Sequence, residues 1–135
     1  MALSADLDVE SVGETEVLAI LAGAADTLYK GAIVMIETDG YIEVPSGAAN
    51  TVNLGICKKQ VVAAGSHAET VEVLMGRFWL AHNGAAQTDV GTLAWATDDA
   101  TLAHAAQNAT DVALGLVVGF KTGYLVVDTR IKAIA

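Results

Sequence analysis

The chain repeats itself at a fixed offset, and no other feature of it limits the possible folds as strongly. Gly31 to Gln60, "GAIVMIETDGYIEVPSGAANTVNLGICKKQ", aligns without a gap on Gly91 to Phe120, "GTLAWATDDATLAHAAQNATDVALGLVVGF", at an offset of 60 positions. Gly31/Gly91, Asp39/Asp99, Ala49/Ala109, Val52/Val112, Leu54/Leu114 and Gly55/Gly115 are identical pairs. Upstream, "GAADTLYKG" (Gly23 to Gly31) matches "GAAQTDVG" (Gly84 to Gly91) after one deletion. Each unit then closes on a strand-like run, "VEVLMGRFWL" in the first and "GYLVVDTRIKAI" in the second. Self-similarity of this kind marks a duplicated supersecondary unit. Two similar halves about a pseudo-twofold are expected, unit 1 over about 23–80 and unit 2 over about 84–135.

The repeated element reads as β structure. "AIVMIE" is an apolar, partly β-branched run that stops at Asp39-Gly40, where Gly accepts the positive φ of a hairpin turn. "YIEV" follows and ends at Pro45-Ser46-Gly47, a loop signal. Gly55 and Gly115 interrupt apolar strands, which marks a bulge or a close backbone approach and makes both structural glycines. "ETVEVLMGRFWL" alternates, and Arg77 on one face favours the other face, ending in Phe78 and Leu80, as the core side. "TLAHAAQNAT" is Ala-rich enough for a short helix, but its unit 1 counterpart holds Pro45 and Gly47, so a loop or single turn is expected. The fold class is therefore all-β: a compact barrel or sandwich-like domain over 17–135, with an extended N-terminal arm over 1–16.

Composition narrows the partners. The 135 residues suit one domain with its own core. Hydrophobic residues make up 53% but aromatics only 5%, so small Ala and Val side chains supply much of the apolar surface, as suits close packing between surfaces. A formal charge of −9 repels phosphate backbones and anionic lipid, so neither nucleic acid nor membrane is expected as a partner. The acidic N-terminus lacks the basic region of a signal peptide, and the apolar stretches are too short for a membrane helix, so a soluble protein is expected. Cys57 stands alone, and beside Lys58 and Lys59 it reads as a small buried hydrophobe before it reads as a nucleophile.

No catalytic pattern is present. His67, His82 and His104 have no ligand spacing among them and read as solvated loop histidines, so no metal or cofactor is expected. Asp39, Asp98 and Asp99 fit turn chemistry. Ser66-His67 lacks a nucleophile elbow, and Glu37, Glu43, Glu69 and Glu72 fit solvent faces better than a glycosidase pair. An enzyme is not expected. Arg77, Phe78, Trp79 and Trp95 are candidates for a subunit interface or for the core, because Trp and Arg are enriched at interfaces and Trp is also commonly buried. Leu3, Leu7, Val9 and Val12, interleaved with acids, are candidate partner contacts on the N-terminal arm. The same residues would equally serve a first strand of the barrel.

The order "GAAQTDVGTLAWATDDATLA", "NATDVALGLVVGF" and a final valine-rich strand resembles the small capsid decoration, or cement, proteins of tailed bacteriophages. "TVNLGICKKQVVAAGSHAETVEVLMGRFW" is similar to the stretch of lambda-type head-stabilising proteins in which a Gly-Ile strand leads through a hairpin to an aliphatic strand. The resemblance covers roughly Gly23 to the C-terminus and names no catalytic residue. It implies a β-rich virion protein made in the host cytoplasm, bound on the outer capsid surface and stabilising the mature head. Its partners would be the major capsid protein and copies of itself, as trimers. The alternative is a β-barrel ligand-binding or lectin-like domain using loop residues such as His82, Asn83 and Asp98.

Overall fold

The computed structural model describes residues 3–133 and is all-β. Among the described residues eleven strands follow one another: β1 (Ser11–Leu21), β2 (Asp26–Leu28), β3 (Ile33–Ile36), β4 (Ile42–Glu43), β5 (Val52–Cys57), β6 (Val61–Ala63), β7 (Thr70–Ala81), β8 (Leu93–Ala96), β9 (Leu102–Ala103), β10 (Gly115–Lys121) and β11 (Tyr124–Asp128). The one helical element among the described residues is a 3₁₀ turn at Gln87–Asp89. The stretch "TLAHAAQNAT" holds only β9 and loop.

Nine strands form one curled sheet in the order β4-β3-β5-β7-β11-β10-β8-β9, with β1 added on β7. The short β2 and β6 pair separately. At twelve residues β7 is the longest strand, and it organises the rest. One edge carries β1 along nearly its whole length. The other edge carries β5 at Val73 and Leu74 and then β11 from Arg77 to Ala81.

The duplication is visible residue by residue. β3 and β4 recur as β8 and β9 at the offset of 60. Ile33 faces Ile56 and Val34 faces Gly55, as Leu93 faces Leu116 and Ala94 faces Gly115. The hairpin closure Glu37 N–H to Tyr41 C=O recurs as Thr97 N–H to Thr101 C=O. The two glycines also meet their partner strand alike. A Cβ on Gly55 would strike Leu74 O and lie 3.0 Å from Val73 Cγ1, and one on Gly115 would strike Asp128 O and lie 2.9 Å from Val127 Cγ1. Close backbone approach is therefore the reason both are Gly.

Equivalent residues of the two units meet at Val52 and Val112, which form a parallel bridge. Lys132 fastens the same junction, its Nζ donating to Asn53 O, Leu54 O and Leu114 O at 2.7, 2.7 and 2.6 Å. Leu54 and Leu114 are themselves an equivalent pair. Burial pushes the Lys132 ammonium down to about 7, with the charge of Asp128 opposing.

Two cores result, and β7 serves both. Val71, Val73 and Met75 join Leu28, Val34, Ile42 and Leu54 of unit 1. Phe78 and Leu80 join Ala94, Leu102, Leu114, Val117, Leu125 and Val127, with Ile33 and Ile56 crossing over from unit 1. The expectation of a single core face on β7 is thus corrected. Its first half buries one parity of side chains and its second half the other, because a different core lies on each side of the strand.

Candidate functional site

The aromatic cluster of β7 divides between inside and outside. Phe78 is 1% exposed and lies in the second core. Arg77 points outward, with Nε 3.7 Å from Asp128 Oδ2. Trp79 is half-buried, its N–H donates to Glu10 O at 2.9 Å, and Lys121 Nζ lies 4.3 Å from its ring centre, a cation–π contact shared with Tyr124. Trp95, also half-buried, donates Nε1–H to Asp111 O at 3.4 Å.

The N-terminal segment lies along the domain. Leu3 packs on the first core while its N–H donates to Asp99 Oδ1 at 2.7 Å. Leu7 is exposed, but its N–H donates to Lys30 O and its carbonyl rests against Gly31, where any Cβ would collide with it. Val9 packs on the second core, and Val12 pairs with Arg77 in β1. The boundary drawn at Glu16 falls inside β1. β1 bulges there, taking four steps from Val12 to Glu16 where β7 takes two from Arg77 to Met75.

Past the bulge β1 presents the uncharged run Val17–Leu21. Val17, Leu18 and Leu21 are 47, 39 and 40% exposed. Among the described residues no other strand pairs with the free edge of β1. Apolar residues interleaved with acids draw attention to residues 1–16; the signal for this edge is the apolar run "VLAIL" immediately beyond them.

A second constellation is absent from any sequence spacing. His82 follows β7, its N–H held by Gly123 O at 2.9 Å. His104 follows β9, and Asp89 ends the 3₁₀ turn. The two Nε2 atoms lie 3.0 Å apart with the rings perpendicular, and Asp89 Oδ1 lies 3.5 Å from His104 Nε2. Burial and the neighbouring His104 hold the His82 imidazole below its ordinary pKa, while Asp89 opposes them. An open groove of about 440 Å³ lies alongside, lined by His82 and Asn83 together with Ala81, Thr101, Leu102 and Gly123. Asp98, the third residue of the ligand-binding alternative, does not line that groove; its Oδ1 accepts the Ala100 N–H at 2.9 Å.

The remaining candidates are structural. Burial pushes the Cys57 thiol up to about 11, and its S–H donates to Lys59 O at 3.0 Å, so it is a protonated core residue. His67 stacks on Tyr41 with ring centres 4.1 Å apart. Glu72 is held by Lys59 and Lys58 at 3.0 and 3.4 Å, and Glu69 accepts the Ala64 N–H. Asp39 Oδ1 accepts the Tyr41 N–H, the turn role its position suggests. No protein-family model, no curated protein and no solved structure matches the chain.

Proposed function

We propose that this is a structural protein that binds the outer surface of a tailed-phage capsid, together with copies of itself, and stabilises the mature head. The observation that carries the reading is β1. It is an eleven-residue edge strand that leaves its outer hydrogen-bonding edge free among the described residues, and its second half bears no charge. Proteins that stay monomeric normally blunt such an edge with Lys, Pro or a covering loop. Here the apolar run Val17–Leu21 offers main-chain donors and acceptors and a sticky surface at once, as strand addition to a partner requires. A capsid presents many copies of one site, so modest contacts become strong when several subunits engage together. The sequence resemblance to decoration proteins points the same way.

The test is co-sedimentation of the purified protein with expanded heads from the phage genome that encodes it. Wild type should saturate the heads and raise their resistance to heat. Leu18→Lys, at an exposed position, should lose head binding while its own melting temperature stays within about 2 °C. Failure of wild type to bind such heads would overturn the capsid reading; equal binding by L18K would remove β1 as the contact. The second reading, a ligand-binding domain, is favoured by the groove beside His82 and Asn83. It requires a thermal shift with a small molecule and no binding to heads.

A further inference from the structure

We infer that His82, Asp89 and His104 form a binding site for a divalent transition-metal ion of the zinc class. The three come from three separate elements: the end of β7, the 3₁₀ turn, and the loop after β9. Their donor atoms nevertheless all lie within 4.8 Å of one another. Two imidazole nitrogens aimed at each other across 3.0 Å leave room for one proton between them. The same spacing is close to the edge of a tetrahedral zinc site, which is about 3.3 Å for bonds of about 2.0–2.1 Å. The carboxylate is already oriented: Asp89 Oδ2 accepts the Ala86 N–H at 2.8 Å, which turns Oδ1 toward His104. Closing the set around an ion takes side-chain rotation, and the half-exposed His104 side chain makes it without disturbing either core.

The donor set decides the class of ion. Two imidazoles and one carboxylate suit zinc, cobalt, nickel or copper, whereas calcium and magnesium call for a fuller oxygen cage. Both nitrogens must offer lone pairs, so the Nε2–H that bridges the neutral rings moves to Nδ1 of the same ring through solvent. If one ring starts as imidazolium, one proton leaves to solvent on binding. Three protein donors leave one position of a tetrahedron open, and the groove along His82 gives water or a small anionic group access to it. The acidic chain as a whole attracts the cation. A bound ion would tie the end of β7 to the loops of unit 2. The site is measured on the free protein, so it stands or falls apart from the capsid reading.

The experiment titrates the full-length protein, stripped with EDTA, with cobalt(II) chloride and follows the visible ligand-field absorption, then adds zinc(II) chloride. One equivalent of cobalt should give a strong tetrahedral spectrum that one equivalent of zinc abolishes. Zinc at about a hundred times its dissociation constant should raise the melting temperature by about 5–10 °C. H82A and H104A should each weaken cobalt binding at least about tenfold, with unchanged far-UV circular dichroism in EDTA. H67A, which lies outside the cluster, should bind like wild type. Absence of a tetrahedral spectrum in wild type, or an undiminished one in the H82A/H104A double variant, would overturn the site and leave the two histidines a hydrogen-bonded pair.

Discussion

Unit 1 returns from β5 to β7 through twelve residues, 58–69, with β6 among them, whereas unit 2 returns from β10 to β11 through Thr122 and Gly123 alone. Their cores differ as well. Val34, Ile36 and Ile42 of unit 1 stand where unit 2 has Ala94, Ala96 and Leu102, and the second core takes in Phe78. Val44 stands where unit 2 has His104, so the histidine pair has no twin. What the units share is chiefly backbone approach, in strand register, the turn closure and the two glycines, together with Val52/Val112 and Leu54/Leu114 at their junction. Close packing of main chain tolerates little change, while side chains on the frame are free to diverge. The non-repeated positions are therefore where partner or ligand chemistry is to be sought.

The sharpest way to break the comparison is to give both glycines a methyl group. Gly55→Ala and Gly115→Ala each drive a Cβ into a backbone carbonyl of the facing strand, Leu74 O or Asp128 O, which no rotamer relieves. Each should cost about 3 kcal/mol, the upper end for overpacking, as measured by urea unfolding. Gly47→Ala, with nothing within 4 Å of its added Cβ, is the control and should be near neutral. A harmless G55A beside a damaging G115A would mean that the two units only look alike.

Lys132 tests whether the units are held as one body. Its three N–H groups satisfy two carbonyls of unit 1 and one of unit 2. Lys132→Met keeps the aliphatic stem but leaves those carbonyls without their donor, at a cost of about 2 kcal/mol. Because β7 lends side chains to both cores, fluorescence from Trp79 and Trp95 and far-UV circular dichroism from the whole chain should still report one transition. Two separated transitions would show that Lys132 is what makes the units unfold together.

The duplication, the all-β class and the role of the paired glycines could be read from residues 31–60 and 91–120, because register and close approach leave identities at fixed spacing. The two-sided burial of β7 was harder to see. Alternation rules assume one wet face, and the clues "VLM" and "FWL", apolar on both parities, make sense only once a core lies on either side. His82 and His104 stand out in the sequence only as histidines without ligand spacing, and Asp89 not at all, since ligand-spacing rules detect donors within one element and these meet through tertiary contact. Lys132 was equally silent, as nothing in "TRIKAIA" distinguishes a lysine bound by three carbonyls from one in solvent.

The smallest expected effect concerns the closing strands, where Leu74 of unit 1 and Asp128 of unit 2 meet the paired glycines alike. Only unit 2 thus carries a titrating group at this point. Burial works to raise the Asp128 pKa, but hydrogen bonds from the Arg130 N–H and guanidinium, with the charges of Arg130 and Arg77, outweigh it and hold the carboxyl below its ordinary value. A depressed carboxylate pKa means the native state binds fewer protons than the unfolded chain near the ordinary Asp value of about 3.9. The stabilisation is therefore present above that value and is lost as pH falls through the depressed one. Both arginines are partly exposed, so screening limits the contribution to about 1 kcal/mol. Asp128→Asn should be less stable than wild type by about that amount at pH 7, and the gap should close as the pH is lowered toward 3. Other carboxylates titrate in the same range, so the difference between variant and wild type is the quantity to follow. A gap that stays constant with pH would mean that Asp128 acts through shape and neutral hydrogen bonds, as Leu74 does through shape alone, and the two closing strands would then be equivalent after all.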